Sequence, residues 1–138
     1  MKKFLSIFLV LIFTSISVFA STTNSYDRFG SKNGSYKTNG NVTTHYDRYG
    51  SKQGSYRTSG NTTTSYDRHG SKTGSYKTSG NTIMQYDKYG SKVGSYKTSG
   101  NITTSYDKYG NKTGSYKTDS FGNVTQYDKY GHKVGSYK

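Results

Sequence analysis

The sequence predicts an all-β protein built from repeated antiparallel hairpins, and three observations support this. The dipeptide Tyr-Asp recurs every 20 residues from Tyr26 to Tyr106, and Gly-Ser-Tyr recurs midway between the copies. The 17 Gly fall at only three positions of the repeat, which indicates tight turns at regular intervals. The segments between them are rich in Thr, Val, Ile and Tyr, which favour strands. We therefore expect 20-residue units made of two halves of about ten residues.

The repeat also predicts the domain organisation. A polar lead, 21–25, precedes a repeat domain, 26–138. Its units are 26–45, 46–65, 66–85, 86–105, 106–126 and a partial unit, 127–138. The fifth unit reads Asp119-Ser120-Phe121-Gly122-Asn123 where most units have Ser-Gly-Asn. Because this length change falls at a turn signal, it leaves the alternation of later strands intact.

Two turn signals per unit favour an antiparallel hairpin meander, either a sheet or a partly curled tube. A parallel solenoid with one coil per unit is the alternative. The few aliphatic residues after residue 20 cannot form an ordinary core, so stability must come largely from Tyr. Curling into a closed tube, or association along the edges, would stabilise such a sheet.

The Tyr residues at two of the repeat positions are expected to form one structural ladder. If Tyr46 pairs with Tyr56 across a hairpin, all such rings line one face, and the Gly of each Gly-Ser-Tyr leaves room for a neighbouring ring. The ladder consists of Tyr26, Tyr36, Tyr46, Tyr56, Tyr66, Tyr76, Tyr86, Tyr96, Tyr106, Tyr116, Tyr127 and Tyr137.

The first 20 residues predict a secretory signal peptide. Met1-Lys2-Lys3 precedes a mostly apolar run, Phe4–Phe13, and Val18-Phe19-Ala20 suits cleavage near Ala20. The apolar run is too short to span a bilayer comfortably, so we expect no transmembrane segment in the mature chain. The chain has no Cys, which excludes disulfides and a lipoprotein anchor. We expect a secreted, periplasmic or cell-surface protein.

The repeat resembles the YD repeats of the RHS family across residues 26 to 138. The matching residues are Tyr86-Asp87-Lys88-Tyr89-Gly90 and, ten residues later, Gly100-Asn101-Ile102-Thr103-Thr104. The resemblance implies β-hairpins on an exported or cell-surface protein. Larger members wind these hairpins into shells, and some enclose a C-terminal toxin. This chain is far too short for such a shell, so we carry over only the β-repeat architecture and the exported setting.

Neither catalysis nor metal binding is expected. His45, His69 and His132 stand at three different repeat positions and look like variation at exposed sites, so we expect no enzyme and no cofactor. Each unit has one Asp beside a Lys or Arg, which disfavours a bound cation. We expect these carboxylates to accept hydrogen bonds from turn amides, and no metal ion.

The basic residues give the best functional signal. The net charge is +13, or +11 without Lys2 and Lys3, which suggests an anionic partner. Equivalent positions of a meander lie two strands apart, about 9.5 Å, so rows of cations could follow a linear polyanion. The rows comprise Arg28, Arg48, Arg68, Lys88, Lys108 and Lys129, then Lys32, Lys52, Lys72, Lys92, Lys112 and Lys133, with Tyr49, Tyr89, Tyr109 and Tyr130 as stacking residues.

Two functional hypotheses follow. The first is binding or adhesion to anionic envelope or extracellular polymers, because export favours polysaccharide or an envelope surface over nucleic acid. The alternative is a self-assembling structural or matrix subunit without a small-molecule ligand. A charged surface that merely prevents edge aggregation would explain the same residues. The rows are expected to depend on the ladder: with rings on opposite faces, we expect the rows of cations to be lost, and the binding role with them.

Overall fold

The computed structural model describes residues 20–138, which form strands joined by turns. The predicted signal peptide therefore lies, up to residue 19, outside the described residues. The twelve strands are β1 (Ser21–Asp27), β2 (Lys32–Asn39), β3 (Val42–Asp47), β4 (Lys52–Ser59), β5 (Thr62–Asp67), β6 (Lys72–Ser79), β7 (Thr82–Asp87), β8 (Lys92–Ser99), β9 (Ile102–Asp107), β10 (Lys112–Thr118), β11 (Val124–Asp128) and β12 (Lys133–Tyr137).

The strands form one closed antiparallel barrel. Each strand pairs with the next along the chain, and β12 pairs with β1 to close the tube. The prediction of an all-β hairpin meander is confirmed in its curled form, and the parallel solenoid is wrong. Over residues 20–138, no helix is long and apolar enough to cross a membrane.

Six turns lie at one end of the barrel, between β1 and β2 and at every second connection after it. In the turn after β3, the amide of Gly50 donates to the Asp47 carbonyl over 3.1 Å, and Gly50 has a φ of +84°. This geometry is that of a type I turn followed by a glycine bulge. Glycine is required there because other residues rarely adopt that φ. We call this end the charged rim.

The opposite rim has tighter turns. Only Gly40 and Asn41 separate β2 from β3, and Gly40 has a φ of +58°, as a two-residue hairpin loop with Gly first requires. Asn41 also binds the next hairpin, because its side chain donates to the Thr58 carbonyl over 3.2 Å. In the fifth unit, residues 119–123 replace this loop with a turn of the charged-rim kind, in which Asp119 accepts from the Phe121 and Asn123 amides. The predicted absorption of the length change in a turn is confirmed.

The single ladder of twelve Tyr is wrong, because Tyr46 does not pair with Tyr56. A two-residue loop pairs residues that differ by an odd number, as Tyr36 pairs with His45, so residues ten apart face opposite sides. At the charged rim, each hairpin has one inserted residue, such as Gln53. Beyond it, the numbers of paired residues again differ by an odd amount, as Thr43 pairs with Tyr56. One set of rings is buried, namely Tyr36, Tyr56, Tyr76, Tyr96, Tyr116 and Tyr137. The other set is half-buried on the outer wall, namely Tyr26, Tyr46, Tyr66, Tyr86, Tyr106 and Tyr127.

The Gly of each Gly-Ser-Tyr makes a close backbone approach and does not accommodate a ring, which corrects that prediction too. A Cβ added at Gly74 would lie 2.6 Å from the carbonyl oxygen of Tyr86 on the neighbouring strand. The sister glycines meet the equivalent carbonyl at 2.6–2.8 Å. No side chain fits at these positions without moving the backbone.

The core consists of the six inner Tyr rings with Ile83 and Val124. Inward-facing Thr and Ser residues complete the lining, and many of them pair with each other. Thr58 and Thr63, for example, share a hydrogen bond of 2.9 Å between their hydroxyls. Gln85 lies between two inner rings, donating to the Tyr76 hydroxyl and accepting from the Tyr96 hydroxyl. A largely polar sequence can therefore fill a barrel because most of its buried hydroxyls have partners.

Replacing Gly74 with Ala should destabilise the barrel by roughly 1–3 kcal/mol, the usual cost of overpacking a close contact. The added Cβ meets the Tyr86 carbonyl, which belongs to the sheet backbone and cannot rotate away. Urea unfolding followed by far-UV circular dichroism measures the change. Ser79→Ala, at an exposed position of the same hairpin, is the control and should change stability by less than about 0.5 kcal/mol. Equal stability of the two variants would contradict the steric argument.

Alkali should unfold the protein because its inner phenols must lose protons. Burial raises the pKa of Tyr56 to about 12, and the pKa values of Tyr36, Tyr76, Tyr96 and Tyr137 rise well above the usual range, also mainly by burial. Unfolded phenols ionise near pH 10. The stabilisation is therefore complete below about pH 10 and is lost as pH rises above it. Urea unfolding across this range tests the prediction, which an unchanged free energy of unfolding up to about pH 12 would contradict.

Candidate functional site

The predicted binding residues all lie at the charged rim. Each of its six turns carries a Lys or Arg at its first central position, and each following strand begins with a Lys. All twelve of these side chains are exposed. The rim also carries six Asp, so its net charge is +6. The turns of the opposite rim carry no charge except Asp119, and the nearest cations are the exposed wall residues Lys37, Arg57, Lys77, Lys97, Lys117 and Lys138.

The Asp residues of the charged rim hold the turns together. Oδ1 of Asp67 accepts hydrogen bonds from the His69 and Ser71 amides at 2.8 and 2.9 Å, and every sister turn repeats this pair. These bonds, chiefly the one from the Ser71 amide, lower the pKa of Asp67 below its usual range. At Asp107, the side chain of Asn111 is the main cause of a lowered pKa. The predicted role of Asp as an acceptor of turn amides is confirmed.

Most rim turns pair a cation with an exposed ring. The Arg48 guanidinium lies 4.9 Å from the centroid of the Tyr49 ring, and Lys88, Lys108 and Lys129 lie at the same distance from the rings that follow them. The Tyr89 ring is 82% exposed despite this contact. Each such turn thus offers a flat ring and a positive charge within one contact distance.

Two residues that occupy the same turn position as the predicted stacking Tyr residues were not among those predicted. Phe29 is 78% exposed, and Arg28 lies 4.6 Å from its centroid, so this turn is equivalent to the four with Tyr. In the third turn, the Arg68 side chain contacts His69 by a 3.0 Å hydrogen bond instead. Alignment of the repeats was the signal that could have found both residues, because they occupy the Tyr position of the sister units.

The Lys residues that begin the even strands lie on the outer side of the rim. Lys52 pairs with Tyr46, whereas Gly54 pairs with the adjacent residue, His45, so the inserted Gln53 turns Lys52 away from the barrel interior. Simple alternation from Tyr56 would place Lys52 on the inner side, and the inserted residue is the reason that it lies outside. The exposed Lys side chains extend the positive charge from the turns onto the top of the outer wall.

The cation rows exist although the Tyr ladder does not, which corrects the expected dependence of one on the other. Their side chains stand in or next to turns, and glycine-dependent turn geometry fixes those positions whichever face the Tyr rings take. The rows are also not straight. Because the barrel closes, equivalent cations spaced two strands apart, about 9.5 Å, form a ring around the rim.

The three His lie in different surroundings. His45 is only 9% exposed and stacks on Tyr36 with ring centroids 4.5 Å apart, so the expectation that all three were exposed is wrong for this residue. Burial lowers its pKa, with a smaller opposing effect from Asp47. His132 is exposed and contacts Asp128 at 3.2 Å. Across residues 20–138, no three His, Cys, Asp or Glu are grouped so that they could hold a metal ion.

No protein-family model matches this chain, and a search of curated proteins finds no similar sequence. Membership of the YD-repeat family therefore stays a prediction from the motif.

Acid should weaken the fold through His45. Its folded pKa lies below 6.5, so the unfolded state binds the proton first; the stabilisation is present above pH 6.5 and is lost as pH falls below it. Replacing His45 with Ser, the residue at the equivalent positions 65 and 105, should reduce the loss of stability between neutral pH and about pH 5. Thermal unfolding of both proteins across this range provides the measurement. An identical acid slope in both would show that His45 is not responsible.

Proposed function

We propose that this protein is exported and binds anionic polymers of the cell envelope or extracellular matrix through the charged rim, without enzymatic activity. The observation that carries this proposal is the ring of turns in which exposed aromatic side chains alternate with exposed cations. Anionic polysaccharides combine the two features that such a surface recognises. Their negative groups pair with Lys and Arg, and their sugar rings offer flat faces that pack on aromatic rings.

The fold explains some residues of each rim turn but not the cations. Asp67 and Gly70, for instance, are needed for the turn itself, through amide hydrogen bonds and a φ of +89°. The exposed Arg or Lys between them has no such task in the turn. Its identity changes from Arg in the first three units to Lys in the last three, yet its charge does not change. A binding role accounts for a charge that the turn geometry does not require.

The ring arrangement favours a polymer over a small anion. A single exposed cation contributes about 1 kcal/mol or less to an ion pair. Six turns facing the same way can engage several anionic groups of one chain or of a dense layer, so that weak contacts add through effective concentration.

Export is the second part of the proposal and rests on the sequence of residues 1–20 and on the resemblance to YD repeats. A positive start, a short apolar run and a small-residue ending direct a chain out of the cytoplasm. In that setting the abundant polyanions are envelope polymers and anionic surfaces. Nucleic acid suits a basic and aromatic surface chemically but is not the polymer that an exported protein usually meets.

The binding test uses polygalacturonate, a linear polymer with one carboxylate per sugar, and a charge-matched pair of variants. Arg48→Ser/Lys88→Ser/Lys108→Ser removes three rim cations. Arg57→Ser/Lys77→Ser/Lys97→Ser removes three exposed cations from the outer wall, with the same change in net charge. Calorimetric titration should show at least about a tenfold loss of affinity, 1.4 kcal/mol, for the rim variant and a much smaller loss for the wall variant.

Further measurements separate the two parts of the surface. Affinity should fall steeply with salt, because the contacts are exposed ion pairs. Tyr89→Ala/Tyr109→Ala should weaken binding with little change in the salt dependence. Equal losses for the rim and wall variants would mean that net charge alone attracts the polymer, and this would overturn the proposed site. Gel filtration without polymer and without prior urea treatment checks the alternative function, because a large assembly there would favour a structural subunit.

A further inference from the structure

The pairing of β1 with β12, here called the seam, differs from other strand pairs because no turn joins its two strands. Its register matches Ser25 with Tyr137, Tyr26 with Ser136 and Asp27 with Gly135. The same three kinds of pair recur where β4 meets β5, as Ser65 with Tyr56, Tyr66 with Ser55 and Asp67 with Gly54. The two edges of the seam are therefore equivalent to edges that pair throughout the barrel.

The seam is shorter than its internal equivalents. Three register pairs join β1 to β12, and Asn24 and Lys138 exchange two further backbone hydrogen bonds of 2.7 and 2.9 Å. The equivalent β4–β5 interface has six register pairs, continuing to Ser59 with Thr62. No turn connects the two strands of the seam, so they can separate without unfolding a hairpin, and the seam is the place where the barrel opens most easily.

The interior next to the seam is also the part of the described chain where buried side-chain atoms lack hydrogen-bond partners. The buried side-chain atoms without a hydrogen-bond partner in residues 20–138 are Ser25 Oγ, Asn33 Oδ1 and the Tyr36 hydroxyl, and all three belong to β1 and β2. In another unit, the residues equivalent to Asn33 and Ser25 are hydrogen-bonded to each other, because the Thr73 hydroxyl donates to the Ser65 hydroxyl over 2.9 Å. Unpaired buried polar atoms are costly, and opening the seam returns them to water.

We propose that the seam opens and that β12 of one copy pairs with β1 of a second copy, so that chains join head to tail. The partner is thus another molecule of this protein. The exchanged pairing restores the same register as the closed barrel, so the backbone hydrogen bonds of the seam form again between two copies. This inference does not depend on polymer binding, because no rim cation takes part in it.

The test uses two single-cysteine proteins, which is practical because the chain has no Cys. Tyr26→Cys is made in one batch and Ser136→Cys in another, one of them isotopically heavy. In a closed barrel these two positions face each other only within one chain. A disulfide between a heavy and a light chain therefore requires β1 of one copy to lie against β12 of another. The chains are mixed in mild urea at high concentration, returned to buffer and oxidised.

The matched control is Tyr46→Cys mixed with Ser35→Cys. These residues are of the same two types, at equivalent repeat positions, but they pair across the two-residue turn between β2 and β3. The mixed disulfide should be at least about fivefold more abundant for the seam pair than for this control, and its yield should rise with protein concentration. Equal yields would show random collision of thiols and would overturn the inference.

A double variant, Tyr26→Cys/Ser136→Cys, provides the second measurement. Oxidised at low concentration, it should form an internal disulfide that locks the seam, and it should then stay monomeric in gel filtration after the same urea treatment. The unmodified protein should give dimers or larger species with an unchanged far-UV spectrum. If the internal bond forms readily but no mixed disulfide appears from the two single variants, strand exchange does not occur. A failure of polygalacturonate binding would leave this result unaffected.

Discussion

The length of the turns is the constraint on which the rest of the structure depends. A two-residue loop such as Gly40-Asn41 pairs residues whose numbers differ by an odd amount. In a repeat with two Tyr spaced ten apart, this sends one ring inward and the other outward. The glycine-bulge turns at the other rim, with one inserted residue per hairpin, preserve the same odd difference. Every hairpin therefore adds one ring to the core, and the inner Tyr meet only because the tube closes.

Closure also makes a polar interior workable. An open sheet of these units would leave the inner rings and their hydroxyl-bearing neighbours facing water. In the barrel, the Tyr rings supply apolar surface and their hydroxyls find partners, as Tyr137 donates to Gln126 over 3.0 Å. Thr hydroxyls pair across strands in the same way, as in Thr98 with Thr103. Because so much of the interior is hydrogen-bonded, its stability depends on every hydroxyl having a partner, and the β1–β2 corner is where this condition is least well met.

Much of the fold was predictable from the repeat, whereas the facing of the side chains was not. Glycine spacing located every turn, including the altered one at residues 119–123, and residue type gave strands between them. Composition does not reveal the one-residue insertion at positions such as Gln53, so simple alternation misplaced Lys52 and aligned Tyr46 with Tyr56. The strand glycines were recognised as special, but the backbone oxygen that each one approaches belongs to a neighbouring strand whose register the sequence does not show. Burial of His45 depended on the same missing register.

The placement of the rim cations and rings was predicted more accurately than that of the core residues, because the rim residues lie in or next to the turns. A side chain such as that of Lys88 follows its local backbone, which the Asp and Gly of the turn determine without help from strand register. The sequence could not reveal that the rows close into a ring, since closure depends on how many hairpins curl together. That ring separates two tasks within each unit. Strands and glycines form the barrel, while the solvent-exposed centres of the turns are free to carry charge and aromatic surface, so a repeat that varies at the rim can change its surface chemistry without changing its fold.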